Sequence, residues 1–328
     1  MVDHLKEKIK KIKNLKNLKQ GDLIIDIGSN DGTSLKAYPQ NKYKLLGIDP
    51  TGIKFKAYYP DSISLIPDFF SSKVLSKFSK SKAKIITSFS MFYDVEDPIY
   101  FAKEINASLD EDGLWIFEQG YFPNMIKTNG FDSICHEHLE FYSLKQIDWV
   151  LTKANLKIID VEFNNINGGS FSVTAAKVNS KYNSKLKYLD KIRNDELALN
   201  LDSLEVFNNF KSNIDKNCKV LIEFLNQAKA NNKSVYGIGA STKGNVLLQH
   251  YGINSSLLEA IGEINEEKYG AYTPGTLIPL IPEDEVLKRN PDYLLILPWH
   301  FKDHFLSLSS MKGRTLIFPL PEFEIIKL

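Results

Sequence analysis

The chain has 328 residues, a formal net charge of +1, 43% hydrophobic and 25% charged side chains, values that exclude a disordered chain and suit two domains of roughly 150 residues each. Cys135 and Cys218 are too few for a disulfide framework or a structural zinc cage, and no apolar h-region opens the chain. The longest apolar run, Tyr293 to Phe301, is broken by Pro298 and His300 and falls well short of the roughly 20 residues that span a bilayer, so a cytoplasmic protein without membrane insertion is expected.

Residues 1–20 carry seven lysines against Asp3 and Glu7, a local net of +5 that leaves −4 on the remainder. They read as a basic surface helix with Leu5, Ile9, Ile12 and Leu15 as its inner stripe. Three arginines in all, Arg193, Arg289 and Arg314, are few for a nucleic-acid binder, so no nucleic-acid partner is expected.

Next, Leu23–Ile27, Tyr43–Ile48, Ile63–Ile66, Lys84–Thr87 and Gly113–Glu118 read as strands. Between them lie stretches of helical period such as Ile99–Leu109, and this alternation predicts a doubly wound parallel sheet. Leu156–Phe163 and Ser170–Lys177, joined by a run of Asn and Gly, read as a hairpin. A parallel sheet that finishes in an antiparallel pair is the pattern of a class I methyltransferase domain, expected over 21–178. Residues 179–231 are expected to be linking helices, with Leu197, Leu201, Leu204, Phe207 and Phe210 on one face. A smaller α/β Rossmann-like domain is expected over 232–328. Its strands are Val235–Ile238, Leu258–Gly262, Tyr293–Leu297 and Thr315–Phe318, with a helix ending at Gln249.

The first strand ends in Asp26-Ile27-Gly28-Ser29-Asn30-Asp31-Gly32. Glycines there permit a tight turn and let a ligand approach the backbone, and the following helix opens with free N–H groups. The spacing is Gly-x-x-x-Gly, not the Gly-x-Gly-x-x-Gly of dinucleotide folds. An acid before the first glycine suits the amine of S-adenosylmethionine. Asp49, 21 residues after Gly28, is placed to take both ribose hydroxyls, and Asp68 to lie near the adenine.

The run Cys135-His136-Glu137-His138-Leu139-Glu140-Phe141-Tyr142 follows the fifth strand, whereas His4, His250, His300 and His304 stand apart. Two histidines two residues apart on a helix would point about 200° from one another, so zinc is disfavoured and no metal is expected. Proton transfer is the better reading, because histidine titrates near neutrality and a carboxylate can orient it.

These motifs, together with Gly47-Ile48-Asp49-Pro50-Thr51, Tyr142-Ser143-Leu144, Gly168-Gly169-Ser170 and the turn from Gly237 through Gly239, Ser241, Thr242 and Lys243 to Asn245, resemble the S-adenosylmethionine-dependent sugar C-methyltransferases. Those enzymes serve deoxysugar pathways for antibiotics and cell-surface polysaccharides, and the resemblance runs from about residue 21 to the C-terminus. It implies methyl transfer to a carbon of a nucleotide-linked keto-sugar through an enolate. His138 would be the base beside Glu137, with His136 and Tyr142 orienting the sugar. The implied cofactor contacts are Asp26, Gly28, Asn30, Gly32, Asp49, Asp68 and Ser90. The implied substrate contacts are Tyr93, Asp94, Gly239, Ser241, Thr242 and Lys243, the turn acting through backbone N–H groups or through Lys243. The chain departs from the family in lacking the N-terminal cysteine-rich zinc-binding region, in placing Cys135 where a phenol is common, and in placing Asp94 where some members have histidine. Three other readings stand beside this one. They are a sugar O-methyltransferase of surface polysaccharide biosynthesis, an NAD(P)-dependent oxidoreductase, which the first glycine spacing disfavours, and a non-catalytic sugar-nucleotide binding protein.

Overall fold

Short apolar runs closed by turn residues become strands throughout the computed structural model, which describes residues 2–328. The chain forms two units that interleave in sequence. One comprises the residues up to Tyr121 and Leu139–Ala198, the other Phe122–His138 and Leu199–Leu328. The segment 122–138, which chain order places inside the 21–178 span, is therefore part of the second unit.

In the first unit the strands are β1 (Leu23–Ile27), β2 (Lys44–Ile48), β3 (Ile63–Ile66), β4 (Ala83–Phe89), β5 (Leu109–Gly120), β6 (Leu156–Asn164) and β7 (Ser170–Lys177). Their order is β3-β2-β1-β4-β5-β7-β6; the first five are parallel, and β7 runs antiparallel to both β5 and β6. This is the α/β fold of a class I methyltransferase domain, with the expected closing hairpin. All five residues of β1 are buried because both faces of the sheet are covered. On one face Ile24, Ile85, Leu114 and Ile116 pack with Ile9, Ile12 and Leu35; on the other Ile25, Ile86, Trp115 and Phe117 pack with Ile105, Leu144 and Ile147. β4 and β5 run longer than their apolar cores. Leu109 pairs with Ala83, and Lys84 holds Asp110 at 2.6 Å, so polar ends join the ladder.

The N-terminal helix Val2–Leu15 buries Ile9 and Ile12 as expected, but Leu15 is 51% exposed and Lys8 is buried in its place. The reason is a buried carboxylate. Glu118 Oε1 lies 2.5 Å from His4 Nε2, and its Oε2 lies 3.2 Å from Lys8 Nζ, which also reaches Glu162 at 3.0 Å. Lys16 is buried too, donating to the Asp112 carbonyl and to Tyr182 Oη. Charges that read as a solvated face are thus partly consumed inside the unit.

A second buried acid fixes the entry to the helix Leu144–Lys153. Glu196 accepts the N–H groups of Leu144 (2.6 Å) and Lys145 (3.1 Å), and the Tyr121 hydroxyl at 2.8 Å. These N–H groups belong to the first turn, which has no partner within its own helix. Glu196→Ala is expected to destabilise the protein by about 1–3 kcal/mol, seen as a lower urea midpoint. An unchanged midpoint would remove this carboxylate from the account.

The face expected from Leu197 to Phe210 is interrupted. One helix ends at Ala198, and a new helix, Leu204–Ala230, starts at Ser203, whose hydroxyl caps it. Leu197 and Leu204 are exposed, while Phe210, Ile214, Leu221 and Leu225 form the buried stripe.

The second unit carries β8 (Val235–Ile238), β9 (Ile261–Glu263), β10 (Leu280–Pro282), β11 (Tyr293–Ile296), β12 (Thr315–Phe318) and β13 (Glu324–Lys327) in the order β10-β9-β8-β11-β12-β13. All pairs are parallel except β12 with β13, so the expected smaller Rossmann-like unit is present. β9 begins later than the apolar run, because Leu257 and Leu258 are held in a turn on the Asn254 carbonyl. Gly239 joins β8 to the helix Thr242–Tyr251 with φ +83°, and a Cβ there would stand 2.9 Å from the Pro298 ring. Both facts require glycine.

Candidate active site

The first unit carries the glycine turn at the carboxyl end of β1, where ligands of open α/β sheets bind. Gly28 (φ +69°) faces Met91, whose Cγ would lie 3.1 Å from an added Cβ, and Gly32 (φ +73°) faces the Tyr59 ring at 3.1 Å. Asp26 is 3% exposed, and its Oδ1 accepts from Thr87 Oγ1 at 2.5 Å. Burial pushes its carboxyl up to about 7, against the pull of Thr87 and Ser34. Asp49 is buried at the end of β2. It accepts the Asn30 N–H (2.8 Å), the Thr51 N–H (2.7 Å) and the Thr51 hydroxyl (2.7 Å). A carboxylate has about four acceptor positions, so a diol would take the vacant one and displace the rotatable Thr51 hydroxyl from another.

Asn30 is exposed at φ 45°, and Ser90 sits at φ 54° with its N–H on the Glu118 carbonyl. Asp68 is exposed and accepts the Phe69 N–H at 2.8 Å. Three neighbours went unread in the sequence. Tyr59 lies over the turn with its hydroxyl on Ser29 Oγ (2.8 Å) and the Asn30 carbonyl (2.9 Å), Met91 packs under Gly28, and Phe69 presents a ring 76% exposed. Only an exposed aromatic beside an acid at a strand end could have drawn attention to Phe69.

The histidine run belongs to the second unit and is not helical. Residues 136–137 form a turn, closed by the His138 N–H on the Cys135 carbonyl at 3.1 Å. The helical argument against zinc therefore does not apply. Among the described residues, no group of three or more His, Cys, Asp or Glu side chains could hold a metal. His136 and Glu137 are exposed and line a pocket of about 620 Å³ with Thr242, Asn245, Gln249 and His250.

His138 is half-buried, and its basicity is lowered by burial and by the charge of Lys243. A hydrogen bond to the Ser133 backbone and the nearby Glu137 work the other way. His300 is pushed down to about 4, first by burial and then by Lys243, so that ring is neutral at physiological pH. Burial in turn lowers Lys243, opposed by Asp132. Asp132 is 1% exposed; burial raises its carboxyl, and its Oδ2 accepts the Trp299 indole N–H at 2.7 Å. Three separated segments thus bring Asp132, His138 and His300 within the electrostatic reach of Lys243. His300 and Asp132 were invisible as site residues because nothing in the local sequence brings 132, 243 and 300 together.

The second glycine turn is already engaged. The N–H groups of Gly239, Ala240 and Ser241 go to the Gly262 carbonyl (2.8 Å), Glu263 Oε2 (3.0 Å) and the Gly239 carbonyl (3.0 Å), and the Ser241 hydroxyl caps the Gly244 N–H. With these donors engaged and Glu263 supplying negative charge, the turn's charge for a ligand comes from Lys243; Thr242 faces the pocket. Tyr142, Tyr93 and Asp94 belong to the first unit. Tyr142 is 4% exposed and stacks on Phe92 at 5.4 Å, the Tyr93 carbonyl accepts the N–H groups of Leu139 and Glu140, and Asp94 is exposed.

Residues 2–161 match a family model described as a methyltransferase domain, and residues 165–321 match one described as a C-methyltransferase C-terminal domain. The C-methyltransferase NovU of Streptomyces niveus is 24% identical over 331 aligned positions, covering 99% of this chain and 79% of that protein. The chain is an S-adenosylmethionine-dependent methyltransferase.

Two solved structures also resemble it in part. The plantazolicin methyltransferase BpumL, bound to S-adenosylhomocysteine, is 14% identical with a TM-score of 0.41, covering 53% of this chain and 83% of its own. LepI, bound to S-adenosylmethionine, is 15% identical with a TM-score of 0.41, covering 52% of this chain and 46% of its own. With both halves of the methyltransferase matched to methyltransferase models, the oxidoreductase and non-catalytic readings fall. No helix among its described residues is long and apolar enough to cross a membrane.

Proposed function

We propose that the methyltransferase acts on a carbon of a nucleotide-linked keto-sugar, of the deoxysugar type, through an enolate. The observation that carries this reading is His138, a half-buried imidazole next to the pocket-lining Glu137, whose basicity burial and the nearby Lys243 lower. A carbon beside a ketone becomes nucleophilic only after losing its proton, which calls for a neutral base and a cationic neighbour for the oxyanion. His138 takes the proton, the C–H electron pair becomes the enolate C=C, and the charge that gathers on oxygen faces Lys243. Glu137 and His136 line the pocket and orient the acceptor. Asp26, Gly28, Asn30, Gly32, Asp49, Asp68 and Ser90 hold the cofactor, with Phe69 offering an apolar surface to its base. S-adenosylmethionine supplies an electrophilic methyl group on a sulfonium sulfur.

The test is a panel of nucleoside-diphosphate-linked keto-sugars in deuterated water without cofactor. Exchange at the carbon next to the carbonyl, followed by methylation there once cofactor is added, is the expected result. Methylation of a hydroxyl without exchange would sink the enolate and leave a sugar O-methyltransferase.

The Lys243 charge has a separate consequence. Lys243→Met removes one of the influences that lower His138, so the acid limb of the exchange rate should move to higher pH. An unmoved limb would separate Lys243 from the base.

A further inference from the structure

The carboxyl end of β5 holds polar atoms that the fold itself does not use. Gln119 is 1% exposed, and among the described residues neither its Oε1 nor its Nε2 has a hydrogen-bond partner. Buried side-chain amides are nearly always satisfied, and one left dry on both atoms is a large local penalty. Gln119 lies on the same face of β5 as Trp115 and Phe117, opposite the face that Glu118 turns towards His4 and Lys8. Tyr142 comes to that same face. Its backbone bridges Tyr121, two residues beyond Gln119, and its ring stacks on Phe92, which in turn packs on Phe117 at 5.3 Å. Among the described residues, the Tyr142 hydroxyl is also buried without a partner. Three orphaned polar atoms, one amide and one phenol, therefore share one end of one strand.

We propose that Gln119, with Tyr142, binds a pair of adjacent oxygen functions on the acceptor; this deepens the keto-sugar reading and rests on it. A carboxamide sets an acceptor beside a donor. That pattern matches a ring carbonyl next to a hydroxyl, the carbonyl taking the amide N–H and the hydroxyl giving its proton to Oε1. The cofactor is the competing occupant. Most of its proposed contacts run from β1 through β2 to β3, two or more strands from β5, but Ser90 follows β4 and gives its N–H to the Glu118 carbonyl, so the binding measurement below separates the two.

Gln119→Met keeps the length of the side chain and removes both hydrogen-bonding atoms. It is expected to raise the acceptor KM roughly tenfold or more, to leave the S-adenosylhomocysteine Kd unchanged by calorimetry, and to keep or raise Tm, because an unsatisfied amide leaves the core. Gln119→Asn, which withdraws the amide by one methylene, should also raise KM and serves if the methionine variant folds poorly. The acceptor probes are the nucleoside-diphosphate-linked keto-sugars of the panel above. An unchanged KM overturns the proposal, as does a weakened S-adenosylhomocysteine Kd with KM intact, which moves Gln119 to the cofactor. A lower Tm with KM intact overturns it as well, since Gln119 is then structural. If the wild-type enzyme methylates none of the panel, the keto-sugar reading fails and takes this proposal with it. That failure appears in the wild type, whereas failure of Gln119 alone appears only in its variants.

Discussion

Replacing His138 with alanine is expected to lower methylation by about 10²–10⁴-fold, the usual contribution of a positioned general base, with S-adenosylhomocysteine binding and Tm unchanged. The same variant should lose the cofactor-independent deuterium exchange by a similar factor, because proton removal precedes methyl transfer. The pH profile supplies a sign. As the proposed base His138 would act as the unprotonated imidazole, and burial together with Lys243 lowers its pKa below the ordinary 6.5. The wild-type exchange rate should therefore rise with pH and level off at a lower pH than an unperturbed histidine would allow. The residual rate of His138→Ala should be flat across that range. His136→Ala is a useful contrast, because His136 is exposed on the pocket and its loss should appear in the acceptor KM rather than in exchange. Full exchange by His138→Ala would sink the assignment of the base.

Asp26→Asn should produce two opposite effects, weaker cofactor binding and greater stability at alkaline pH. The folded-state pKa of Asp26 is raised from 3.8 to about 7, first of all by burial. Below the unfolded value both states are protonated, and Asp26 adds nothing that depends on pH. As pH rises from there to about 7, the unfolded carboxyl ionises while the folded one keeps its proton, so stability falls. Above that the full penalty applies, on the order of 4 kcal/mol for a shift of about three units. Asparagine cannot ionise, so the variant should gain stability over wild type at pH 8 and none at pH 4, in parallel urea titrations. The same variant removes the carboxylate proposed to meet the cofactor amine, so S-adenosylhomocysteine should bind at least about tenfold more weakly. Equal affinities would take Asp26 out of the cofactor site and leave it a buried partner of Thr87.

Strands of the first sheet were legible because both their faces are buried, so that β1 reads as Leu-Ile-Ile-Asp-Ile with one interruption. β10 and β13 were not legible. They are three and four residues long, β10 ends in Pro282, and only Ile326 of β13 packs against the second core. Hydropathy also misjudged the N-terminal helix. It can rank Leu15 above Lys8, but it cannot foresee that Glu118, 110 residues further on, will hold Lys8 indoors. The site divides in the same manner. The candidates Gly28, Gly32, Asp49 and the His-Glu-His run are local patterns that the sequence displays. Asp132, Trp299 and His300 meet only after folding, and Gln119 is conspicuous for what it lacks, a property that no sequence displays.

The interleaving of the two units sets a rule for exchanging parts of this protein with relatives. His138 and the pocket-lining Glu137 arrive on the seventeen-residue excursion Phe122–His138, while Lys243 and Trp299 follow Leu199. A chimera joined once, near residue 200, would pair one parent's proposed base with the other parent's lysine. Such a hybrid could fold with two intact sheets and still combine Asp132 from one parent with the Trp299 position of the other, across the hydrogen bond that joins them here. Transplanting acceptor preference therefore requires two segments to move together, and recombination at a single crossover should yield well-folded but inactive offspring.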